Sequence, residues 1–370
     1  MTFDGTYRRR IIDDELDDLF AELPAVLLDG PKGVGKTSTA QQRAVTIRRL
    51  DVEAERLIVT ADPSVIAADE RPLLVDEWQR VHPTWDVVRR LVDENHRGGQ
   101  FLLTGSAPMA ESHSGAGRIT SMRMRPLTLP ERGVEVPTVS LAALLAGNKT
   151  VGGRTKVALR DYVDEMVAGG FPAMRSLERR ALARQLDSYI ERIVTHDLSL
   201  AGLVARHSAT VLAWSPANNH QGVLSQSPRH YLADPALAAR LVRRSATRLL
   251  GGDAPESVQP RDGGFLGGLF ENLAGLSVRV FAQANDAQVH HLRTEAGRRE
   301  VDFIVETDDG VLGIEVKLAA TVHDEHVRHL VWLKDRLGTE CIDTIVLHSG
   351  PEAYRRPDGV AVVPLALFGP

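Results

Sequence analysis

The residues with the clearest chemical potential are Gly30-Pro31-Lys32-Gly33-Val34-Gly35-Lys36-Thr37-Ser38, which fit the spacing Gly-x-x-x-x-Gly-Lys-Ser/Thr. Glycines let backbone N–H groups curl around phosphate oxygens, and the helix expected after them presents the positive end of its backbone dipole. Lys36 has the reach to meet β- and γ-phosphates, and the Thr37 hydroxyl is a magnesium ligand in such loops. About 40 residues later, Leu73-Leu74-Val75-Asp76-Glu77 reads as an apolar strand ending in two carboxylates. After a complete phosphate loop, Asp76 is expected to hold Mg²⁺ and Glu77 to polarise an attacking water as general base. Leu103-Thr104-Gly105-Ser106 ends a second apolar run, so the Ser106 hydroxyl is a candidate partner for the γ-phosphate or that water. Arg118, after Gly115-Ala116-Gly117, is a candidate for transition-state charge, in trans if the chain assembles with itself; an arginine after a glycine loop is equally a solvated side chain. Asn148-Lys149-Thr150-Val151 lacks the acidic residue of a guanine-reading Asn-Lys-x-Asp pattern, so ATP is the expected nucleotide.

A second constellation lies near the C-terminus. Glu300-Val301-Asp302 and Ile314-Glu315-Val316-Lys317 alternate as strands do, which puts Glu315 and Lys317 on one face. Asp308-Asp309-Gly310 between them is a hairpin signal that brings Asp302 and Glu315 onto adjacent strands. Paired carboxylates there could hold Mg²⁺, Glu271 on a preceding helix could complete the site, and Lys317 could orient a water for attack on a phosphodiester. An Asp followed by Glu-x-Lys resembles the signature of the restriction-endonuclease-like fold. The competing reading is a half-buried strand pair with solvated charges, or an inactive relic. His323, His326 and His329 drift around one helix and read as a polar face. Trp78, Trp85, Trp214 and Trp332 read as packing residues.

These groups need elements to position them. Ile12, Leu16, Leu19 and Phe20 follow helical spacing, and Pro24 stops that helix before the short buried strand Ala25-Val26-Leu27-Leu28. A helix is expected from Ser38 to about Leu50, then strands at Leu57-Ile58-Val59-Thr60, Pro72–Asp76 and Gln100–Gly105. Strands alternating with helices predict a parallel sheet covered by helices. Residues 159–206 read as mainly helical, and Ala213–Pro228 and Gly251–Gly268 read as loops. A helix at Leu269–Val280, strands near Gln288–Arg293, Glu300–Glu306 and Gly310–Leu318, a helix at His323–Leu337 and two final strands form a separate α/β domain.

Composition sets the outer bounds. The 370 residues are 43% hydrophobic and 25% charged, with a net charge of −5, an ordinary globular mixture that provides no general electrostatic grip on nucleic acid. The single cysteine, Cys341, excludes an internal disulfide framework and a cysteine-based zinc site and fits a reducing, cytoplasmic compartment. No apolar run approaches the roughly 18 residues of a membrane span, and the polar N-terminus does not read as a secretory signal.

The phosphate loop, Leu73–Gln79, Leu103–Ser106 and Arg125-Pro126-Leu127-Thr128-Leu129-Pro130-Glu131 together resemble the prokaryotic AAA-type ATPases joined to a C-terminal domain of unknown function. Gly169-Gly170-Phe171-Pro172, Tyr189-Ile190 and Asp197 are similar to the opening of that second domain, and Tyr231–Leu237 to its middle. The resemblance implies ATPase architecture. A winged-helix-like segment usual in the family has no room here, since only Ala213–Pro228 is available. The expectation is therefore an α/β protein in three parts: an AAA-type parallel-sheet domain over 1–140, a mainly helical middle over 141–250 and a restriction-endonuclease-like domain over 251–370. Its expected activity is Mg²⁺-dependent ATP hydrolysis coupled to the C-terminal half. That half is either an ATP-gated DNA nuclease or the binding module of a slow nucleotide switch acting on DNA or protein. A further copy of the chain is an open partner, and no membrane partner is expected.

Overall fold

The computed structural model describes residues 7–105, 117–193, 208–214, 227–251, 263–294 and 298–370. The described residues form two compact units, one holding 7–126 with 171–176, the other most of the rest. The helices of the middle stretch, Leu159–Ala168, Arg179–Arg192 and Pro235–Leu241, fall in the second unit.

In the first unit, helix α1 (Ile12–Glu22) leads into strand β1 (Ala25–Asp29), the glycine loop and helix α2 (Lys36–Gln41). Strand β2 (Thr46–Arg49), helix α3 (Glu53–Ala61), strand β3 (Leu73–Asp76), helix α4 (Pro83–Glu94) and strands β4 (Phe101–Gly105) and β5 (Thr120–Arg123) follow. The sheet order is β2-β3-β4-β1-β5, and every pairing is parallel. β3 and β4 are buried throughout, as expected of central strands covered on both faces. Because all strands run the same way, the segments leaving β1 and β3 meet at one edge of the sheet, where ligands of open α/β sheets bind.

Two expected elements differ. The helix after the phosphate loop ends at Gln41, and Thr46–Arg49, expected to be helical, forms edge strand β2 beside β3. Leu57–Thr60, expected as a strand, lies within helix α3. Four apolar and β-branched residues are too few for periodicity to separate strand from helix. Tertiary packing buries Val59 and leaves Leu57 and Ile58 exposed, a helical pattern rather than a β one.

The second unit is built on a nine-stranded mixed sheet in the order β7-β14-β15-β13-β12-β11-β10-β8-β9. These are β7 (Gly153–Arg154), β8 (Ser208–Ala213), β9 (Arg229–Leu232), β10 (Gln288–Arg293), β11 (Glu300–Thr307), β12 (Gly310–Lys317), β13 (Cys341–His348), β14 (Glu352–Arg355) and β15 (Ala361–Pro364). β10, β11 and β12 form an antiparallel meander, and helix Asp324–Leu337 then crosses to β13, parallel to β12. The β11–β12 hairpin turns at Asp308-Asp309, with Thr307 opposite Gly310.

Helix Gly263–Gln283 packs on this sheet closely enough that a Cβ on Gly275 would come within 2.7 Å of the Phe303 ring. It is long and apolar enough to cross a membrane by length and composition, yet 72% of it is buried inside the protein. The side of the sheet facing helix Asp324–Leu337 is sealed by Val301, Ile304, Val327, Leu330, Leu333 and Val346.

Candidate functional sites

The phosphate loop leaves β1 in backbone conformations that require glycine. Gly30 has φ +149° and a Cβ there would lie 2.1 Å from the Met124 carbonyl oxygen, while Gly35 has φ +104°. Lys36 is buried and its Nζ donates to the carbonyls of Gly30 at 2.8 Å and Pro31 at 2.9 Å. Thr37 Oγ1 donates to Asp76 Oδ1 at 2.7 Å, and the Thr104 hydroxyl from β4 donates to the same oxygen. Glu77 follows at φ 57°, an uncommon backbone for a non-glycine residue, and its carboxylate accepts from the Gln79 side-chain amide.

Lys32, Gly33, Gly35, Lys36, Thr37, Ser38 and Glu77 line one cleft of about 340 Å³, closed on another side by Pro172 and Ala173. The expected lysine, hydroxyl and general-base carboxylate thus share a single cavity. Asp76 reaches it through Thr37, and a Thr37–Asp76 pair is the donor set that a magnesium ion bridging phosphates takes.

Arg10 was not anticipated. It is 4% exposed, and its Nη1 and Nη2 donate to the carbonyls of Val34 and Arg125, each at 3.0 Å. It therefore ties the phosphate loop to the segment that follows β5, a contact spanning 115 residues that no local pattern announces.

Three other expected residues fare differently. Ser106 lies outside the described residues, as does Asp197. Arg118 is exposed and paired with Asp93 at 2.6 Å. It precedes β5, whose Arg123 is level with Asp29 at the end of β1. It lies in the turn before β5, at the end of that strand opposite Arg123.

In the second unit the structure brings Glu271, Asp302, Glu315 and Lys317 together. The Val316 N–H of β12 donates to Asp302 Oδ2 at 2.9 Å, and Lys317 Nζ donates to Glu315 Oε2 at 2.9 Å. The cluster also holds residues that the sequence does not assign to it. Arg229, on β9, donates from Nη1 to Glu271 Oε1 and to Asp302 Oδ1, both at 3.0 Å, and from Nη2 to Glu300. The Tyr231 hydroxyl donates to Glu271 Oε1 at 2.6 Å. His329, read as part of a polar face, sits 2.7 Å from the Glu300 carbonyl oxygen and 3.9 Å from Glu315.

Burial, then the neighbouring Asp302, pushes the Glu315 carboxyl up to about 8 against the pull of Lys317. The same two causes raise Glu271. Among the described residues no group of three or more His, Cys, Asp or Glu is arranged to hold a metal ion. The expected metal set Glu271, Asp302 and Glu315 is thus corrected: the carboxylates converge, but Arg229 and Lys317 are the cations among them.

Comparison with known proteins matches two separate parts of the chain. Residues 22–132 match the family model described as an AAA domain. The N-terminal part is an AAA-type P-loop domain. Residues 266–368 match a domain of unknown function, DUF4143. A search of curated proteins gives no match. Among solved structures, the chain is similar to the RuvB Holliday junction branch migration motor of Thermotoga maritima, at 17% identity and a TM-score of 0.26. That similarity covers 50% of this chain and 64% of the RuvB chain.

Proposed function

We propose that the protein is a Mg²⁺-dependent ATPase whose nucleotide state is read out by its C-terminal half. The observation that carries this reading is the single cleft in which Lys36, Thr37 and Glu77 meet, with Asp76 bonded to Thr37. Lys36 exchanges two neutral carbonyl acceptors for phosphate oxygens. Thr37 and Asp76 would hold the ion, which supplies charge neutralisation between the β- and γ-phosphates. Glu77 accepts a proton from the attacking water and is held in place by Gln79. The AAA part is assigned to 1–140, a helical middle to 141–250 and a restriction-endonuclease-like domain to 251–370, in a cytoplasmic protein. Support for the last assignment is the order helix, three antiparallel strands, helix, parallel strand.

For the C-terminal half we favour a module that binds DNA or protein without cleaving it, because the carboxylates that nuclease chemistry would use are neutralised from within the chain. The test is phosphate release by the purified full chain. ATP turnover is expected only with Mg²⁺, with Asp76→Asn raising the Mg²⁺ concentration required. Turnover that is indifferent to Mg²⁺ or to Asp76 would overturn the assignment.

A further inference from the structure

The restriction-endonuclease-like reading implies a divalent metal bridging Asp302 and Glu315, with Glu271 as a further ligand. The residues present do not fit one. Arg229 Nη1 stands 3.0 Å from both Glu271 Oε1 and Asp302 Oδ1. An ion bound to those two oxygens at its usual ~2.1 Å would stand within roughly 4 Å of the guanidinium, two like charges in a half-buried site. Two further oxygens of the set are engaged, and Glu271 Oε1 is engaged twice. Asp302 Oδ2 accepts from the backbone of β12, Glu315 Oε2 from Lys317, and Glu271 Oε1 from Tyr231 as well. Lys317, the residue that would orient a water, is held on Glu315.

We propose that Arg229 is a built-in cation that takes the place of the divalent metal, so that this carboxylate cluster is a closed ion network. Guanidinium suits the task because its planar fork meets several carboxylates at once. Here one arm serves Glu271 and Asp302 and the other Glu300. The network ties strand β9 at the sheet edge to helix Gly263–Gln283 and strand β11, three elements distant in sequence. The inference extends the non-cleaving reading of the C-terminal half and is independent of ATP hydrolysis.

The experiment titrates Mn²⁺ into the EDTA-treated full chain without nucleotide, following bound ion by electron paramagnetic resonance and thermal stability in parallel. Wild-type protein is expected to bind no Mn²⁺ that depends on Asp302 at ~1 mM ion and to show no rise in melting temperature. Arg229→Met is expected to melt lower, to gain one Mn²⁺ and to be restabilised by it, and the double variant Arg229→Met/Asp302→Asn should lose that gain. Arg229→Lys, which keeps a positive charge, should behave as wild type towards Mn²⁺. A wild-type site that binds Mn²⁺ and loses it in Asp302→Asn overturns the proposal. So does a folded Arg229→Met that neither destabilises nor gains an ion. If Arg229→Met does not fold, the wild-type and Arg229→Lys titrations decide the matter alone. Loss of ATP turnover in any variant bears on the phosphate site and not on this one.

Discussion

The phosphate loop and the carboxylate cluster both hold a long cationic side chain folded onto nearby oxygen acceptors, and the acceptors make the difference. Lys36 rests on two neutral carbonyls of its own loop. Each such bond is worth about 1 kcal/mol net, so a phosphate can take the ammonium over at little cost. Arg229 rests on three carboxylates. Removing one partner of a half-buried ion network costs up to about 3 kcal/mol, because the remaining charges stay behind without compensation. A cation on neutral acceptors remains available to a ligand, whereas a cation on anions is already used. One site is built to bind and the other to stay closed.

The largest effect that sharpens this contrast is expected at Lys36. Lys36→Ala should lower ATP turnover on the order of 10³-fold, the scale of losing a principal charge-stabilising donor, while leaving the melting temperature nearly unchanged because its bonds to the Gly30 and Pro31 carbonyls are worth about 1 kcal/mol each. Phosphate release and a thermal melt on one preparation check both halves, and a large drop in stability would erase the distinction.

Arg229→Met should do the reverse, destabilising the second unit by about 3 kcal/mol while sparing ATP turnover. Denaturant unfolding measures the first quantity and phosphate release the second. Glu77→Gln should slow hydrolysis by ~10²-fold while ATP stays bound, since a positioned general base contributes that much. Equal losses of binding and turnover would move Glu77 from base to binding residue.

The smallest effect concerns pH. His291, buried on β10, has its pKa lowered to about 4, first by burial and then by the Arg229 guanidinium. Its folded value lies below the ordinary 6.5, so its contribution to stability is complete above 6.5 and is lost as pH falls towards 4. By pH 5 the loss is about 2 kcal/mol. Unfolding at pH 7 and pH 5 should show that slope, and His291→Gln should flatten it.

What the sequence determined by itself lies where chemistry is local. Gly30 to Thr37 was legible because Lys36 meets carbonyls five and six residues back, and because the two carboxylates must end the strand that precedes their turn. The hairpin that unites Asp302 with Glu315 was legible for the same reason, since Asp308-Asp309-Gly310 sets the register of its own flanking strands. The failures share the opposite cause. Leu57–Thr60 was misread because a four-residue run has no period of its own, and only packing against the core placed it in a helix. Arg229 lies 73 residues from Asp302 and reaches it only because β9 ends the same sheet. Such contacts depend on chain reversals and strand order, which the spacing of residues does not encode. Tertiary structure alone therefore decided that the C-terminal carboxylates meet an arginine of their own chain.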